Sequence, residues 1–308
     1  MFRLNDLLLL IVVFSSMIAG ILFPSLGRYF QAYPLYCMMF LLFLSFLSLE
    51  LRDIGKTLRK QLPLAVWLAF FKLAALPVVV YFVFKLTYPR FAPAALLLAS
   101  VSTGVVAPFI ATLVRSNGPL VLLMVVMTSL LVPFTLPFLV KLFLGRSLDI
   151  SLLAMMKVLS LIVFVPVLAV EGCRKWLPGA LSRLLQWRYP VSLAIFAAIN
   201  LGVFSKYAGY FRQQPGVLMR TAFVALGLGG MLFIFGLLSA LRAAPMDKTA
   251  AVIAAGNINN VLIIVFAAQF FGPLEATVAA MYMIPFFLLI FPLRGYEQFA
   301  MQKQCDES

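Results

Sequence analysis

The sequence predicts an all-α polytopic membrane protein, with about ten transmembrane helices arranged as two inverted repeats of five helices. The first observation is composition, because 64% of the 308 residues are hydrophobic and only 11% are charged. Soluble domains carry about 25% charged residues, so most of this chain's surface must face lipid. The second is that the apolar residues form runs of roughly 20, the length of a membrane-spanning helix. The third is that two of these runs are interrupted by a glycine at matched positions in the two halves.

The apolar runs define the predicted spans. The first run is expected to be a membrane helix and not a cleaved signal peptide, because no small-residue cleavage pattern follows it. A mixed basic and apolar segment, Trp176–Trp187, is expected to form a short helix at the membrane surface. The ten predicted spans cover residues 4–24, 34–51, 61–86, 91–115, 118–144, 150–172, 189–205, 216–241, 247–271 and 273–294.

The charges predict the orientation of these spans. The chain has a net charge of +14 and no histidine. In a soluble protein this would suggest nucleic acid as a partner, but here the charges lie in short gaps between apolar runs, where they orient helices. We predict a multi-pass protein of the cell (inner) membrane with both termini in the cytoplasm, and with the lipid bilayer rather than nucleic acid as its surroundings. The two most basic gaps carry Arg52, Lys56, Arg59, Lys60, Arg174, Lys175, Arg183 and Arg188.

Spans 4 and 9 carry small and polar residues at mid-membrane depth. They read LASVSTGVVAP over residues 98–108 and AAGNINN over residues 254–260. Gly104 and Gly256 lie 152 positions apart, close to half the chain. Interrupted helices in matching positions of two halves are typical of transporters built from inverted repeats. Five helices per half would insert the second half upside down, so we predict one repeat over residues 1–147 and the other over residues 148–308.

The polar residues at these two interruptions are the candidate substrate-binding residues. Three asparagines within four residues are costly in hydrocarbon unless they face protein or water. Unwound helix segments also expose backbone groups near the midplane, and the positive helix N-termini favour a small organic anion. The alternative is that the small residues serve close helix packing only. The candidates are Thr103, Gly104, Gly256, Asn257, Asn259 and Asn260.

Several stretches together carry a resemblance to a known family. They are Ser48–Asp53, Lys72–Pro77, the Gly104 interruption, Pro133–Pro137 and Gly256–Asn259, in this order. The chain resembles the bile acid:sodium symporter family, in its bacterial branches, over nearly its whole length. The resemblance implies a core domain of helices 3–5 and 8–10, a panel of helices 1, 2, 6 and 7, and helices 4 and 9 broken and crossing. It also implies a crevice between core and panel for an amphipathic organic anion.

The same resemblance implies two sodium sites, but most of their side chains are not kept. The family's Ser-Asn pair after the span 4 break falls on Ala107 and Pro108, and its span 5 hydroxyl residues fall on Val121 and Val125. Its span 9 glutamate falls on Ala254. The glutamine after that glutamate falls on Ile258 or, with a one-residue slip, on Asn257. Sodium needs a shell of oxygen ligands, which alanine, proline and valine side chains do not supply. The family's span 3 glutamine falls on Lys72.

Lys72 is therefore the most unusual charge in the sequence. It lies about 11 residues from either end of its span, or roughly 16 Å deep by helical rise, and a lysine at the bilayer centre costs about 2.5–3.5 kcal/mol or more. We expect its ammonium to stand in for a sodium ion, either fixed or titrating during the transport cycle. The alternatives are a shifted helix or an ammonium held by carbonyls for structure alone. Lys157 and Arg220 lie nearer to span ends and are expected to snorkel to the surface.

These observations predict a secondary transporter of a small or amphipathic organic anion that works by alternating access without sodium coupling. Two alternatives stay open, a sodium-coupled symporter with backbone ligands and a non-transporting membrane sensor or channel. An enzyme is not expected, because the chain has no histidine and its acidic residues map to span ends or loops. No metal site or cofactor is predicted either, since Cys37, Cys173 and Cys305 are far apart in the sequence.

Overall fold

A computed structural model describes residues 4–47, 54–145, 151–176 and 178–296, and every regular element within these ranges is helical. The helices of the first half of the chain are α1 (Leu4–Leu22), α2 (Pro24–Gly27), α3 (Pro34–Leu47), α4 (Ile54–Phe70), α5 (Leu76–Thr87), α6 (Ala92–Ser100), α7 (Ala107–Leu113) and α8 (Gly118–Leu144). Those of the second half are α9 (Leu152–Trp176), α10 (Pro178–Gln186), α11 (Arg188–Lys206), α12 (Ala208–Gln213), α13 (Val217–Ser239), α14 (Pro245–Gly256), α15 (Asn260–Phe270), α16 (Pro273–Met281) and α17 (Met283–Leu288).

Six continuous helical segments in the described part of the chain are long and apolar enough to cross a membrane by themselves. Their limits agree with predicted spans 3, 5, 6, 7, 8 and 10 to within a few residues. A π-helical turn at Phe71–Ala75 joins α4 to α5 without ending the span. The six segments are Gln61–Thr87, Gly118–Leu144, Leu152–Trp176, Arg188–Lys206, Val217–Ser239 and Pro273–Tyr296.

The other four predicted spans are shorter or bent, so the count of ten stays a prediction. Span 1 bends by 107° between Leu8–Leu22 and Pro24–Phe30, and counting this pair as one span gives seven. Span 2 has 14 helical residues, Pro34–Leu47, up to the limit of the described range. Spans 4 and 9 are each divided into two half-helices by an interruption.

The helices pack in two groups. In the first, α1 and α3 pack against α11, and α3 also packs against α9. Asn200 of α11 is fully buried and its amide donates to the carbonyl oxygen of Val13 at 3.3 Å, which ties α11 to α1. Arg174 of α9 donates to the carbonyl oxygen of Leu47 at 3.2 Å and so satisfies a carbonyl of the last described turn of α3.

The second group surrounds the two interrupted helices. α6 packs against α5, α8 and α16, and α14 packs against α7, α8 and α13. Residues of α6 and α14 are almost entirely buried, since Ala94–Ser100 and Ala250–Gly256 are inaccessible or nearly so. The two groups meet where α8 packs on α9 and where α15 packs on α3 and α11. Most of each interruption is likewise buried, over residues 101–104 and 257–260, whereas Val106 at the end of the first is 48% exposed.

Three further expectations can be compared with the structure. The segment Trp176–Trp187 contains the short helix α10, as predicted. Lys157 and Arg220 are exposed, and their expected snorkelling stays a prediction. Other predictions fall outside the described residues. They concern the Ser48–Asp53 motif with Arg52, Cys305 and the two chain termini.

Candidate functional site

The helix interruptions predicted at Gly104 and Gly256 are present, and they meet each other. α6 ends at Ser100 and α7 begins at Ala107, while α14 ends at Gly256 and α15 begins at Asn260. An isolated antiparallel bridge pairs Thr103 with Ile258. Each unwound segment satisfies backbone groups of the other, because the Gly104 amide donates to the Asn257 carbonyl oxygen at 2.7 Å and the Asn259 amide donates to the Ser102 carbonyl oxygen at 2.9 Å.

The contact at Gly104 requires a residue without a side chain. A Cβ atom on Gly104 would lie 2.7 Å from the carbonyl oxygen of Ile258, which is part of the bridged backbone. A Cβ on Gly256 would meet only the terminal methyl group of Leu289, at 2.9 Å, and that side chain can rotate away. We call the contact between residues 102–104 and 257–259 the crossing. The crossing requires glycine at position 104, whereas position 256 could accept a small side chain.

The C-terminal end of α14 is fully satisfied although it lies inside the membrane protein. A helix leaves its last four carbonyl groups without partners in the helix, and in a dry interior each of them needs a donor. Here every one has a donor, and three of the four donors are side chains. The Ile253 carbonyl oxygen accepts from the backbone amide of Asn257 at 2.9 Å, and that of Ala254 accepts from the Thr103 hydroxyl at 2.8 Å. The Ala255 carbonyl oxygen accepts from the Lys72 ammonium at 3.1 Å, and that of Gly256 accepts from the Tyr282 hydroxyl at 2.8 Å.

Lys72 connects the ends of the two interrupted helices. It lies in the π-helical turn between α4 and α5 and is 1% exposed. Its Nζ atom donates to the carbonyl oxygen of Ala99 at 3.0 Å and to that of Ala255 at 3.1 Å. These carbonyls lie in the last turns of α6 and α14, where the helix dipoles favour a positive charge. Among the described residues no carboxylate lies within ion-pair distance of Lys72, so backbone dipoles alone compensate its charge.

The three asparagines have different surroundings. Asn259 caps α15, since its side-chain oxygen accepts a hydrogen bond from the Leu262 amide at 3.3 Å. Asn257 donates to the carbonyl oxygen of Phe286 at 3.3 Å, and Asn260 donates to the sulfur of Met283 at 2.9 Å, so both point towards the last span. The side-chain oxygens of Asn257 and Asn260 are buried without a protein partner.

All the candidate residues are buried in this structure. Thr103 is inaccessible, and Asn257, Asn259 and Asn260 are 1%, 7% and 5% exposed. Thr103, Gly104, Asn257 and Lys72 are linked through the crossing, whereas Asn260 lies in the first turn of α15 and bonds elsewhere. The helices that cover α15 on one side are α3 and α11.

Two residues of this site were not predicted from the sequence. Tyr282 donates to Gly256, and the Thr128 hydroxyl accepts a hydrogen bond from the Thr103 amide at 3.0 Å. The only sequence signal for either was a hydroxyl group within an apolar run. Of the positions that the resemblance assigns to sodium ligands, Pro108 is half-buried and the others are buried, and only the alternative position Asn257 carries a side-chain oxygen. The buried ones are Ala107, Val121, Val125, Ala254, Ile258 and Asn257.

Long apolar helices together with two interrupted helices that meet inside the protein are features of multi-pass membrane transporters. A sequence model of the Sodium Bile acid symporter family matches residues 35–214, which is more than half of the chain, and the chain belongs to this family. Members of the family are membrane transporters rather than enzymes. The match includes Lys72 and the Gly104 interruption, but it ends before Gly256. A comparison with curated proteins finds no match.

Proposed function

We propose that this protein is a secondary transporter of a small or amphipathic organic anion, that it works by alternating access, and that sodium does not drive it. Lys72 stands in for a sodium ion. The protein would lie in the cell (inner) membrane with both termini in the cytoplasm, as the distribution of basic residues favours. The single observation that carries the proposal is the position of the Lys72 ammonium between the C-terminal ends of α6 and α14.

The packing of the helices supports the proposed arrangement of ten spans in two inverted repeats, over residues 1–147 and 148–308. Inversion relates each helix to the one five spans further along, so helix contacts should recur in pairs, and several do. The contact of α1 with α11 has its counterpart in that of α9 with α3. Likewise α5 with α6 corresponds to α13 with α14, and α6 with α16 corresponds to α14 with α8.

The same contacts support the division into a core and a panel. The panel comprises spans 1, 2, 6 and 7, which are α1, α3, α9 and α11. The core comprises spans 3–5 and 8–10, with both interruptions at its centre. Since α3 and α11 pack on α15, we expect the substrate crevice to open between these helices when the panel moves relative to the core.

The chemistry of the crossing supports an anionic substrate. A fixed ammonium and the N-terminus of α15 both contribute positive potential. Asn257 and Asn260 keep unused hydrogen-bonding capacity, because their side-chain oxygens have no protein partner. To bind an anion, the NH₂ group of Asn257 or Asn260 would have to leave its present acceptor, the Phe286 carbonyl oxygen or the Met283 sulfur. Thr103, Gly104, Gly256, Asn257, Asn259 and Asn260 therefore stay the proposed substrate-binding residues.

The geometry of Lys72 explains why sodium coupling is not expected. Its ammonium already occupies the carbonyl oxygens of Ala99 and Ala255, which would otherwise be free to coordinate a cation. At an effective dielectric constant near 20, a second unit charge about 4 Å away would be repelled by about 4 kcal/mol. That repulsion alone weakens sodium binding by roughly a thousandfold. The missing side-chain ligands would weaken it further.

The proposal is tested by uptake into proteoliposomes. Organic anions are first screened for thermal stabilisation of the purified protein, because a ligand that binds the folded state raises its stability. The anions that stabilise it are then offered in labelled form in sodium buffer and in choline buffer of equal ionic strength. We expect equal initial rates of uptake in the two buffers. A steep dependence on sodium would refute the absence of sodium coupling, and failure of every stabilising anion to enter would refute transport.

Sodium-coupled symport is the second candidate, and one observation favours it. The side-chain oxygens of Ser102, Ser129, Asn257 and Asn260 are buried without a partner. Unpaired buried oxygens are potential cation ligands when they lie close together. In that case the choline arm of the uptake experiment would show little transport.

A further inference from the structure

A depression lined by two arginines lies apart from the helix crossing. It has a volume of about 230 Å³ and lies between the connection that leads into α6 and the start of α13. Its wall includes Arg90, Phe91, Gln214, Pro215 and Arg220. None of these residues takes part in the hydrogen bonds of the crossing, so this site is independent of the proposed transport mechanism.

The charged side chains of the depression are all positive. Both arginines are exposed, and no acidic residue forms part of the wall. Within the described ranges, neither guanidinium has a carboxylate within ion-pair distance. Arg90 donates to the side-chain oxygen of Gln214 at 3.0 Å, which holds one edge of its guanidinium in place. Two guanidinium groups without a counter-ion form a site for an anion, and their planar donors match the oxygens of a phosphate group.

The position of the depression at the ends of two candidate membrane spans indicates which anion can reach it. One candidate membrane span ends at Thr87, and the next span in this region begins at Val217. Arg90 therefore lies three residues beyond the end of one span, and Arg220 lies in the first turn of the other. This is the boundary between hydrocarbon and water, where lipid headgroups lie. Phe91 and Pro215 supply apolar wall atoms beside the two arginines. A lipid headgroup is attached to carbon chains, and these apolar atoms could contact them.

We propose that Arg90 and Arg220 form a binding site for a phosphate group, and that in the membrane this group is the headgroup phosphate of an anionic phospholipid. A freely dissolved phosphate ion has the same recognition chemistry, so the experiment must separate the two sources. In either case the bound phosphate offsets part or all of the charge of the two guanidinium groups and links the entry of α6 to the start of α13. The bound protein is therefore more resistant to unfolding.

The test uses the full-length protein in nanodiscs. One set contains phosphatidylcholine only, and a second contains phosphatidylcholine with phosphatidylglycerol. The double variant Arg90→Gln/Arg220→Gln is compared with the native protein, and Arg212→Gln is the matched control, because Arg212 is an exposed arginine on the neighbouring helix α12 that does not line the depression. The readouts are the apparent Tm and the phosphatidylglycerol retained by the protein in native mass spectrometry. A third arm adds inorganic phosphate to the phosphatidylcholine nanodiscs.

The proposal predicts that phosphatidylglycerol raises the Tm of the native protein and of Arg212→Gln, but not that of the double variant. Retained lipid should fall by roughly tenfold for each arginine removed. If inorganic phosphate raises the Tm of the native protein equally, and again not that of the double variant, the site is supported and its ligand is a dissolved anion. The proposal is overturned if the double variant keeps its response to phosphatidylglycerol, or if Arg212→Gln loses as much as the double variant does.

Discussion

The Lys72 ammonium lies 3.1 Å from the carbonyl oxygen of Ala255, 183 positions further along the chain. The same nitrogen lies 3.0 Å from the carbonyl oxygen of Ala99, so one side chain holds the ends of both interrupted helices. A bound cation would hold carbonyl groups together in the same way. We propose that the Lys72 ammonium takes the place of such a cation, so the crossing should keep its shape at any sodium concentration.

The first prediction concerns the close contact of the two interruptions. Gly104→Ala should destabilise the protein by about 1–3 kcal/mol, because the new Cβ atom would be forced against the bridged backbone at Ile258. The measurement is the apparent Tm of the purified variant. Gly230→Ala is the control, since a Cβ at Gly230 meets nothing within 4 Å. Equal Tm values for Gly104→Ala and the native protein would show that the crossing is looser than described.

The second prediction concerns Tyr282, which is buried and donates to the carbonyl oxygen of Gly256. Tyr282→Phe removes this hydroxyl and leaves its acceptor with a single weaker partner, the Ile258 amide at 3.1 Å. We expect a loss of about 1 kcal/mol in the free energy of unfolding. Tyr36→Phe serves as the matched control because Tyr36 is 66% exposed. An equal effect of the two substitutions would contradict a structural role of the Tyr282 hydroxyl.

The third prediction separates two neighbouring asparagines. Asn259 caps α15, so Asn259→Leu should cost about 1 kcal/mol of stability, and Asn259→Ser should restore most of it by keeping a neutral acceptor oxygen at this buried position. Asn257 is proposed to bind substrate, so Asn257→Leu should abolish uptake of the labelled anion in proteoliposomes while the protein is still expressed and folded. Normal uptake by Asn257→Leu would remove this residue from the proposed binding site.

The spans were predictable where one sequence signal dominates. The span over residues 118–144 has the limits of α8, because a long apolar run follows Asn117, which caps the helix, and ends before Gly145. The interruptions were predictable because small polar residues around a glycine are unfavourable in a continuous membrane helix. The limits of span 1 were predicted to within two residues, but the 107° bend at its end was not; it falls at Pro24, a residue that disfavours helix in the residue before it.

An ammonium of Lys72 held by backbone carbonyls was one of the alternatives in the sequence analysis and is observed, but the identity of the partners within the site was not predictable. Lys72 binds the backbone of Ala99 and Ala255, and alanine side chains carry no signal of what their carbonyl groups contact. Which asparagine caps α15 depends on where the helix restarts, and sequence alone does not fix that position to one residue. Tyr282 reaches Gly256 only because the last span folds back against the interruption.

The most direct test of the central claim is the thermal unfolding of the native protein and of Lys72→Met as sodium replaces choline at constant ionic strength. Lys157→Met is the control, because Lys157 is an exposed lysine within a span. The account predicts that the native Tm does not change with sodium and that the Tm of Lys72→Met lies well below it, since two buried carbonyls lose their donor at about 1–3 kcal/mol each. A saturable rise of the native Tm with sodium would contradict the account, and so would a Tm for Lys72→Met equal to that of Lys157→Met.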